Sequence, residues 1–467
     1  MKNISRRNLF KTVGLSSVFF ALPKSLLAST RLPLVIPPLL NTNKGKPIFL
    51  KIGTTQKALN GQNYVEVWGF NGNYLGPTLK LNQSKIARIN WQNTLPETVS
   101  IHIQGLQALA ELGGNISRKL DSNESWSPVI PIIQGSSTCY YQSCTFPQSA
   151  YQNYRGLVGL CLIEGKEEVA KELPNEYGIN DIPLILQDLS LNGDGVQLFT
   201  QEEPYFYGDR LFVNGQTSPY LNVASELIRL RILNASLSRR YTLSFNDNRN
   251  FSILAQDLGF LATPQSCNSI KLAPGERVEI LVDLSNGKNT TLIADEEHDF
   301  FEKIGNIFSS QNLKDNVVLE LRTKGLIAAF PEKKHFQFKN TIQNIKNKVK
   351  GERYFNLDPN KFTINGKRFN PRQLDVSVHK GSVERWKITT SSPMAFRIEG
   401  VQFVIEKEDG KLYPLELQAW KDTVWINESV DLLVYFTSYS SNKYPFTFGA
   451  ADLTLVDRGC LALLVVK

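Results

Sequence analysis

The chain has 467 residues, 42% of them hydrophobic and 21% charged, with a formal charge of +8. That length predicts two to four domains at roughly 100–200 residues each, and no apolar run reaches the roughly 18–20 residues of a membrane-spanning helix, so stable membrane insertion is not expected. Gly 31, Pro 22, Tyr 16 and Phe 26, together with short Val/Ile/Thr/Leu runs, lean towards strands and turns.

In chain order, the first feature is Arg6-Arg7, set before a short apolar stretch from Val13 to Leu22 that ends near Pro23 and Lys24. Paired arginines, a mild apolar core and a basic residue behind it predict a twin-arginine export signal over residues 1–28, cleaved near Ala28, although Leu26 fits the small-residue rule poorly. The expectation is passage through the twin-arginine translocase to the periplasm. Five of the eight formal positive charges (Lys2, Arg6, Arg7, Lys11 and Lys24) lie in that segment, leaving about +3 from 47 basic and 44 acidic residues. Nothing in that balance argues for nucleic acid.

Three copies of one unit follow. Asn71-Gly72, Asn214-Gly215 and Asn365-Gly366 each sit between strand-like runs, the second of which alternates apolar with polar residues: Ile86–Trp91, Leu227–Asn234 and Val383–Ile388. An Asn-Gly turn between alternating runs predicts a hairpin, and the two intervals of 143 and 151 residues between the turns suit antiparallel sandwiches. The expected division is 29–170, 171–330 and 331–467. Lys166–Tyr177 reads as the first seam, and the Lys- and Asn-rich stretch 331–353 reads as a basic, solvated linker. Leu272–Asp283 puts a Pro274-Gly275 turn before a long alternating strand. Asp295–Asp299, with His298 inside it, reads as a loop tip rather than a divalent-ion site. Cys139, Cys144, Cys161, Cys267 and Cys460 are few and odd in number. Cys139 has two candidate disulfide partners, Cys144 and Cys161, and the chain alone leaves the pairing open.

Four short segments carry the functional argument: Ser100-Ile101-His102-Ile103-Gln104-Gly105-Leu106, Tyr140-Tyr141-Gln142-Ser143-Cys144, Met394-Ala395-Phe396-Arg397-Ile398-Glu399-Gly400, and Tyr444-Pro445-Phe446-Thr447-Phe448-Gly449-Ala450-Ala451, with Leu455 and Cys460 beyond the last. With the triple repeat, they resemble the multicopper-oxidase superfamily over nearly all of the chain beyond the signal. The resemblance implies an all-β fold of three cupredoxin-like Greek-key domains. Blue copper needs two imidazoles, a thiolate and a weak axial sulfur, and the oxygen-reducing cluster needs eight further imidazoles in four His-x-His pairs. By that resemblance the ligand positions are occupied by His102, Gln104, Gln142, Cys144, Met394, Arg397, Glu399, Gly449, Ala450, Ala451, Leu455 and Cys460, and only His102 keeps an expected imidazole. The molecule has four histidines in all, and His298, His335 and His379 lie outside these segments. No copper, other metal or cofactor is therefore expected. An Arg397–Glu399 ion pair and a Gln104–Gln142 hydrogen bond are expected to fill the space.

The chain is most similar to a cell-division branch of that superfamily, in which Arg-Gly-Leu-x-Gly (Arg155–Gly159) and Phe-x-Ile-Glu-Gly (Phe396–Gly400) stand where the oxidases have ligands. What this implies is a monomeric, non-enzymatic protein that binds septal-ring (divisome) proteins and protects them under stress. Two other readings stay open: an oxidase with a metal site rebuilt around Cys144, Glu399 or His102, and a general envelope chaperone or structural protein.

Overall fold

A computed structural model describes residues 31–42, 45–167, 172–201, 204–296, 313–323, 342 and 344–467. Arg6 and Arg7 with the whole predicted export signal, His298, His335 and most of the predicted linker lie outside the described residues. Among those described, no helix is long and apolar enough to cross a membrane.

The Asn-Gly turns organise the fold. Asn and Gly take positive φ together in all three copies: 54° and 78° at Asn71-Gly72, 50° and 76° at Asn214-Gly215, 51° and 74° at Asn365-Gly366. That left-handed pair defines a tight turn matched to strand twist, and only Gly and Asn enter it readily. Each asparagine also bridges the neighbouring long strand. The Asn71 amide carbonyl accepts from Lys51 N at 2.8 Å, and its NH2 donates to Phe49 O at 3.0 Å. Asn214 does the same with Ile185 N and Pro183 O, and Asn365 with Asn356 N and Tyr354 O. In every copy the braced strand then runs parallel to the alternating strand beyond the turn, pairing Leu50 with Trp91, Leu184 with Ile232 and Phe355 with Ile388.

Six sheets result, two per copy in chain order. In the first, Thr78–Asn82, Val158–Glu164, Ser137–Ser143 and Ile101–Gln104 face a sheet built on Ile48–Lys57 and Ile86–Asn93, around Leu50, Leu79, Trp91, Tyr141 and Cys161. The second sets Asp181–Leu191, Leu227–Asn234 and Arg277–Asp283 against Tyr241–Phe245 and Thr290–Glu296. The third sets Val349–Asp358, Val383–Thr390 and Ser429–Tyr435 against Met394–Ile398, Phe446–Ala450 and Leu461–Val466. Each pair encloses an apolar core from alternate residues of its strands. Residues 32–467 form one compact unit.

Two expectations change. The end of the basic stretch is strand rather than linker, because Glu352 and Arg353 sit opposite Arg385 and Trp386, and Arg353 pairs with Glu384 at 2.6 Å. All five cysteines are free thiols. Cys139 and Cys144 are an odd number of residues apart, so the strand turns them to opposite faces. Cys139 does lie opposite Cys161. However, Thr138 N is turned away to Asp257 O, while Ser143 N donates to Leu157 O, in phase with Cys139. That phase makes Cys139–Cys161 a hydrogen-bonded pair, whose Cβ atoms sit about 5.5 Å apart, against the ~3.8 Å of a disulfide.

Candidate functional site

The segments singled out in the sequence separate into two places. Met394, Gly449, Ala450, Leu455 and Cys460 lie wholly inside the third sandwich. Met394, Ala450, Leu455 and Cys460 are at most 1% exposed and belong to its apolar core. Gly449 has φ 145°, and a Cβ there would meet Cys460 O at 2.5 Å, so nothing larger fits. Asp452 caps the short helix Leu453–Asp457, accepting from Thr454 N and Leu455 N. Leu455 O in turn holds Cys460 N. Burial pushes the Cys460 thiol up to about 12, so it behaves as a small apolar group.

The second place is the seam between the first and third sandwiches. Alternation puts Ser100, His102 and Gln104 on one face, with Tyr140, Gln142 and Cys144 beside them on the neighbouring strand; Gln142 is the register partner of His102. From the other side come Arg397 and Glu399, with Gly449 opposite Arg397. Gln104 Nε2 donates to Ile398 O across the seam at 3.4 Å, and Gln107 Nε2 to Val401 O at 3.1 Å. Asp457 receives Ser149 N and Ala150 N of the first sandwich at 2.9 and 2.7 Å. Burial lifts the Asp457 carboxyl to about 7 despite those two amides, and lifts Asp452 to about 6.

The two polar contacts expected here do not form. Glu399 accepts from Thr447 N at 3.0 Å instead, and no ion pair joins it to Arg397 among the described residues. Gln104 Oε1 and Gln142 Nε2 both lack partners rather than meeting each other. Glu399 lies one residue beyond the strand Met394–Ile398, where the backbone amide of Thr447 on the neighbouring strand takes up its carboxylate. His102 Nδ1 is 2.8 Å from Gly114 O, which can only accept, so that nitrogen carries the proton. Cys144 is buried, which raises its thiol well above the ordinary range; Glu399 raises it further and Arg397 opposes. Among the described residues no group of three or more His, Cys, Asp or Glu is placed to hold a metal ion.

The sequence reading missed the polar junction where all three sandwiches meet. Arg277, fully buried, makes a double hydrogen bond to Asp422 of the third sandwich at 2.6 and 2.9 Å and donates Nε to Thr138 O of the first at 2.8 Å. Lys421 reaches Asp257 and Glu276 at 3.1 Å each. Next to it, Thr138 donates its hydroxyl to Glu279 at 2.6 Å, and Glu279 also pairs with Arg229 and Arg231. Burial opposes the Glu279 charge, but the two guanidiniums and the Thr138 hydroxyl hold its carboxyl at about 2. Alternation hides this junction: Val278, Ile280 and Val282 enter the core of the second sandwich, so Arg277 and Glu279 fall on its outer face, which the neighbouring sandwiches then bury.

Family patterns described as multicopper oxidase match residues 51–168, 164–305 and 338–466. The chain is 51% identical over 470 residues to the cell division protein FtsP of Aggregatibacter aphrophilus, covering all of both chains. It is 48% identical to the FtsP of Actinobacillus succinogenes, again over both whole chains, and 36% identical to that of Dickeya dadantii over 100% of this chain and 99% of the other. Among solved structures, a laccase-like multi-copper oxidase, CueO, from Ochrobactrum sp. superposes with a TM-score of 0.85 at 28% identity, covering 93% of this chain and all of that one. The McoA multicopper oxidase of Aquifex aeolicus shares the fold, with a TM-score of 0.79 at 23% identity over 94% of this chain and all of that one.

Proposed function

The chain belongs to the family of the cell division protein FtsP, and from that membership we propose that it is a non-catalytic periplasmic protein of the septal ring. It is exported through the twin-arginine translocase, binds divisome proteins as a monomer and stabilises them under stress. Arg6-Arg7 ahead of a mild apolar run supports the export route.

The observation that carries the non-catalytic reading is the donor set at the positions where the superfamily binds copper. Copper cycling between two oxidation states needs imidazole and thiolate donors. The third-sandwich positions offer Gly449, Ala450 and Leu455, none of which has a donor side chain, with only the Met394 thioether and a thiol on Cys460 that burial keeps protonated. The seam offers one imidazole, His102, beside a Cys144 thiol that burial keeps protonated, the Glu399 carboxylate, amides and a guanidinium. A guanidinium is always charged and repels a cation. These residues do not fit copper, and the chain's oxidase-like fold serves as a frame.

The decisive experiment images a fluorescent fusion, exported through the chain's own N-terminus, in dividing cells. Recruitment to midcell, with filamentation of the deletion strain under osmotic or oxidative stress, is the expected result. Uniform envelope fluorescence with normal division would instead favour a general chaperone. Stoichiometric copper by elemental analysis, together with oxidation of a phenol by dioxygen, would overturn the non-catalytic reading.

A further inference from the structure

Each copy of the fold turns one sheet face outward, and the three faces meet different surroundings. One residue before the paired core residues Leu50, Leu184 and Phe355 stand Phe49, Pro183 and Tyr354, opposite Asn90, Arg231 and Lys387. Alternation turns these six away from their own core. In the second copy that face is largely buried, and its cations are matched: Arg231 pairs with Asp181 and Glu279, and Arg229 with Glu279. In the third copy it meets solvent, yet its cations are matched again, Arg385 by Glu406 and Lys387 by Glu352.

The first copy has neither cover nor counter-charge. Phe49, Ile86, Val129 and Ile133 are 64%, 54%, 44% and 61% exposed. Ile86 and Arg88 lie opposite Pro131 and Val129 of the short strand Val129–Pro131, with Phe49 and Lys51 on the strand beyond. The outward positions 86, 88, 90 and 92, and 129, 131 and 133, include no Asp or Glu. Among the described residues neither Lys51 and Arg88 nor the exposed Lys46 and Lys85 beside them meets a carboxylate. Single exposed apolar side chains need no explanation, but four on one face, interleaved with unopposed cations, mark a docking surface for something anionic.

Composition selects the occupant. Protein interfaces are depleted in lysine and centre on Trp, Tyr or Arg anchors seated in pockets. This surface carries three lysines, has no Trp or Tyr among its outward positions, and is a pleated sheet rather than a groove. A bilayer surface suits it better: ammonium groups on long stems reach headgroup phosphates, and apolar side chains enter the shallow headgroup–acyl boundary. We propose that this face of the first sandwich rests on anionic phospholipid, with Lys51 and Arg88 on the phosphates and Phe49, Ile86, Val129 and Ile133 in the boundary. The contact is peripheral, and it is independent of the septal-ring reading.

The test uses vesicles of phosphatidylcholine with about one quarter phosphatidylglycerol, against phosphatidylcholine alone. The whole chain should sediment with the first, be released by high salt, and bind the second far more weakly. The N-terminal segment, itself basic and partly apolar, is common to every variant, so differences between variants read the face. Lys51→Gln combined with Arg88→Gln should weaken binding about thirtyfold, one surface charge's attraction for each. Both side chains are exposed, so folding is not at stake. Unchanged binding in that variant, or equal binding to both vesicles, overturns the proposal. Phe49→Trp localises the contact: lipids brominated near the headgroup should quench its fluorescence beyond that of the wild type, and no added quenching counts against the face. A chain that ignores both vesicles yet is retained on immobilised polyglutamate would overturn the lipid assignment in favour of an acidic protein partner.

Discussion

Asp457 and Asp452 are the residues through which pH should act on this fold. Burial holds their carboxyls at about 7 and about 6, above the ordinary carboxylate range. Between roughly pH 4 and 7 the folded chain therefore binds more protons than the unfolded one, and stability must rise as pH falls through that window, by up to about 1.4 kcal/mol per pH unit for each group. Glu279, held at about 2, works in the opposite sense, but its contribution is lost only as pH falls below the ordinary carboxylate range. Urea titrations at fixed ionic strength should give a higher midpoint at pH 5 than at pH 7, and Asp457→Asn should flatten the difference; a midpoint that drops on acidification contradicts this account. At the Arg277–Asp422 pair, fully buried on both sides, removing one partner strands the other. Asp422→Ala is expected to cost about 3–5 kcal/mol, while Arg277→Met combined with Asp422→Leu recovers most of that loss. A double variant no better than the single one would mean that the charges themselves hold the junction. The thiols give a simpler reading: alkylation of the denatured, non-reduced protein should add five labels. Three labels would show that Cys139 and Cys161 bond despite their hydrogen-bonded register.

At the scale of elements, the three Asn-Gly turns show how much of the fold is legible in the chain. Turn chemistry and period-two alternation are local, so hairpins, strand periodicity and the triple repeat can all be read directly. The brace made by each asparagine side chain could not be read, because its partners lie 9 to 31 residues earlier, on a strand whose register only the finished sheet fixes. Asn214 is 5% exposed, so Asn214→Ala should lose roughly 1–3 kcal/mol for the two bonds and on the order of 1 kcal/mol more for alanine in a left-handed conformation. Asn71, braced in solvent, should lose mainly the second part. Equal losses in equilibrium unfolding would show that the brace adds nothing to the turn. The residues at the candidate site were legible as identities and not as contacts. Arg397 and Glu399 stand two apart and invite pairing, yet the sheet gives Glu399 a nearer amide. The connector at 349–353 was misread for a related reason: its composition is that of a linker, but it pairs with Val383–Thr390, where Arg353 meets Glu384 and Glu352 meets Lys387.

Residues 32–467 behave as one body rather than three beads. The seams carry charge networks and backbone bonds as well as apolar contact, so calorimetry should show one cooperative transition. Resolved, separate melting of the sandwiches would contradict that coupling. A body of this kind would meet a binding partner without a hinge to settle. Thr138 shows how far the coupling goes. Its carbonyl receives Arg277, which grips the third sandwich, while its hydroxyl donates to Glu279 and accepts from Arg231 of the second. Any partial opening at that point would bare guanidiniums and carboxylates to one another's absence in two directions at once. Half-open forms are thereby made scarce, and the three sandwiches stand assembled together or not at all.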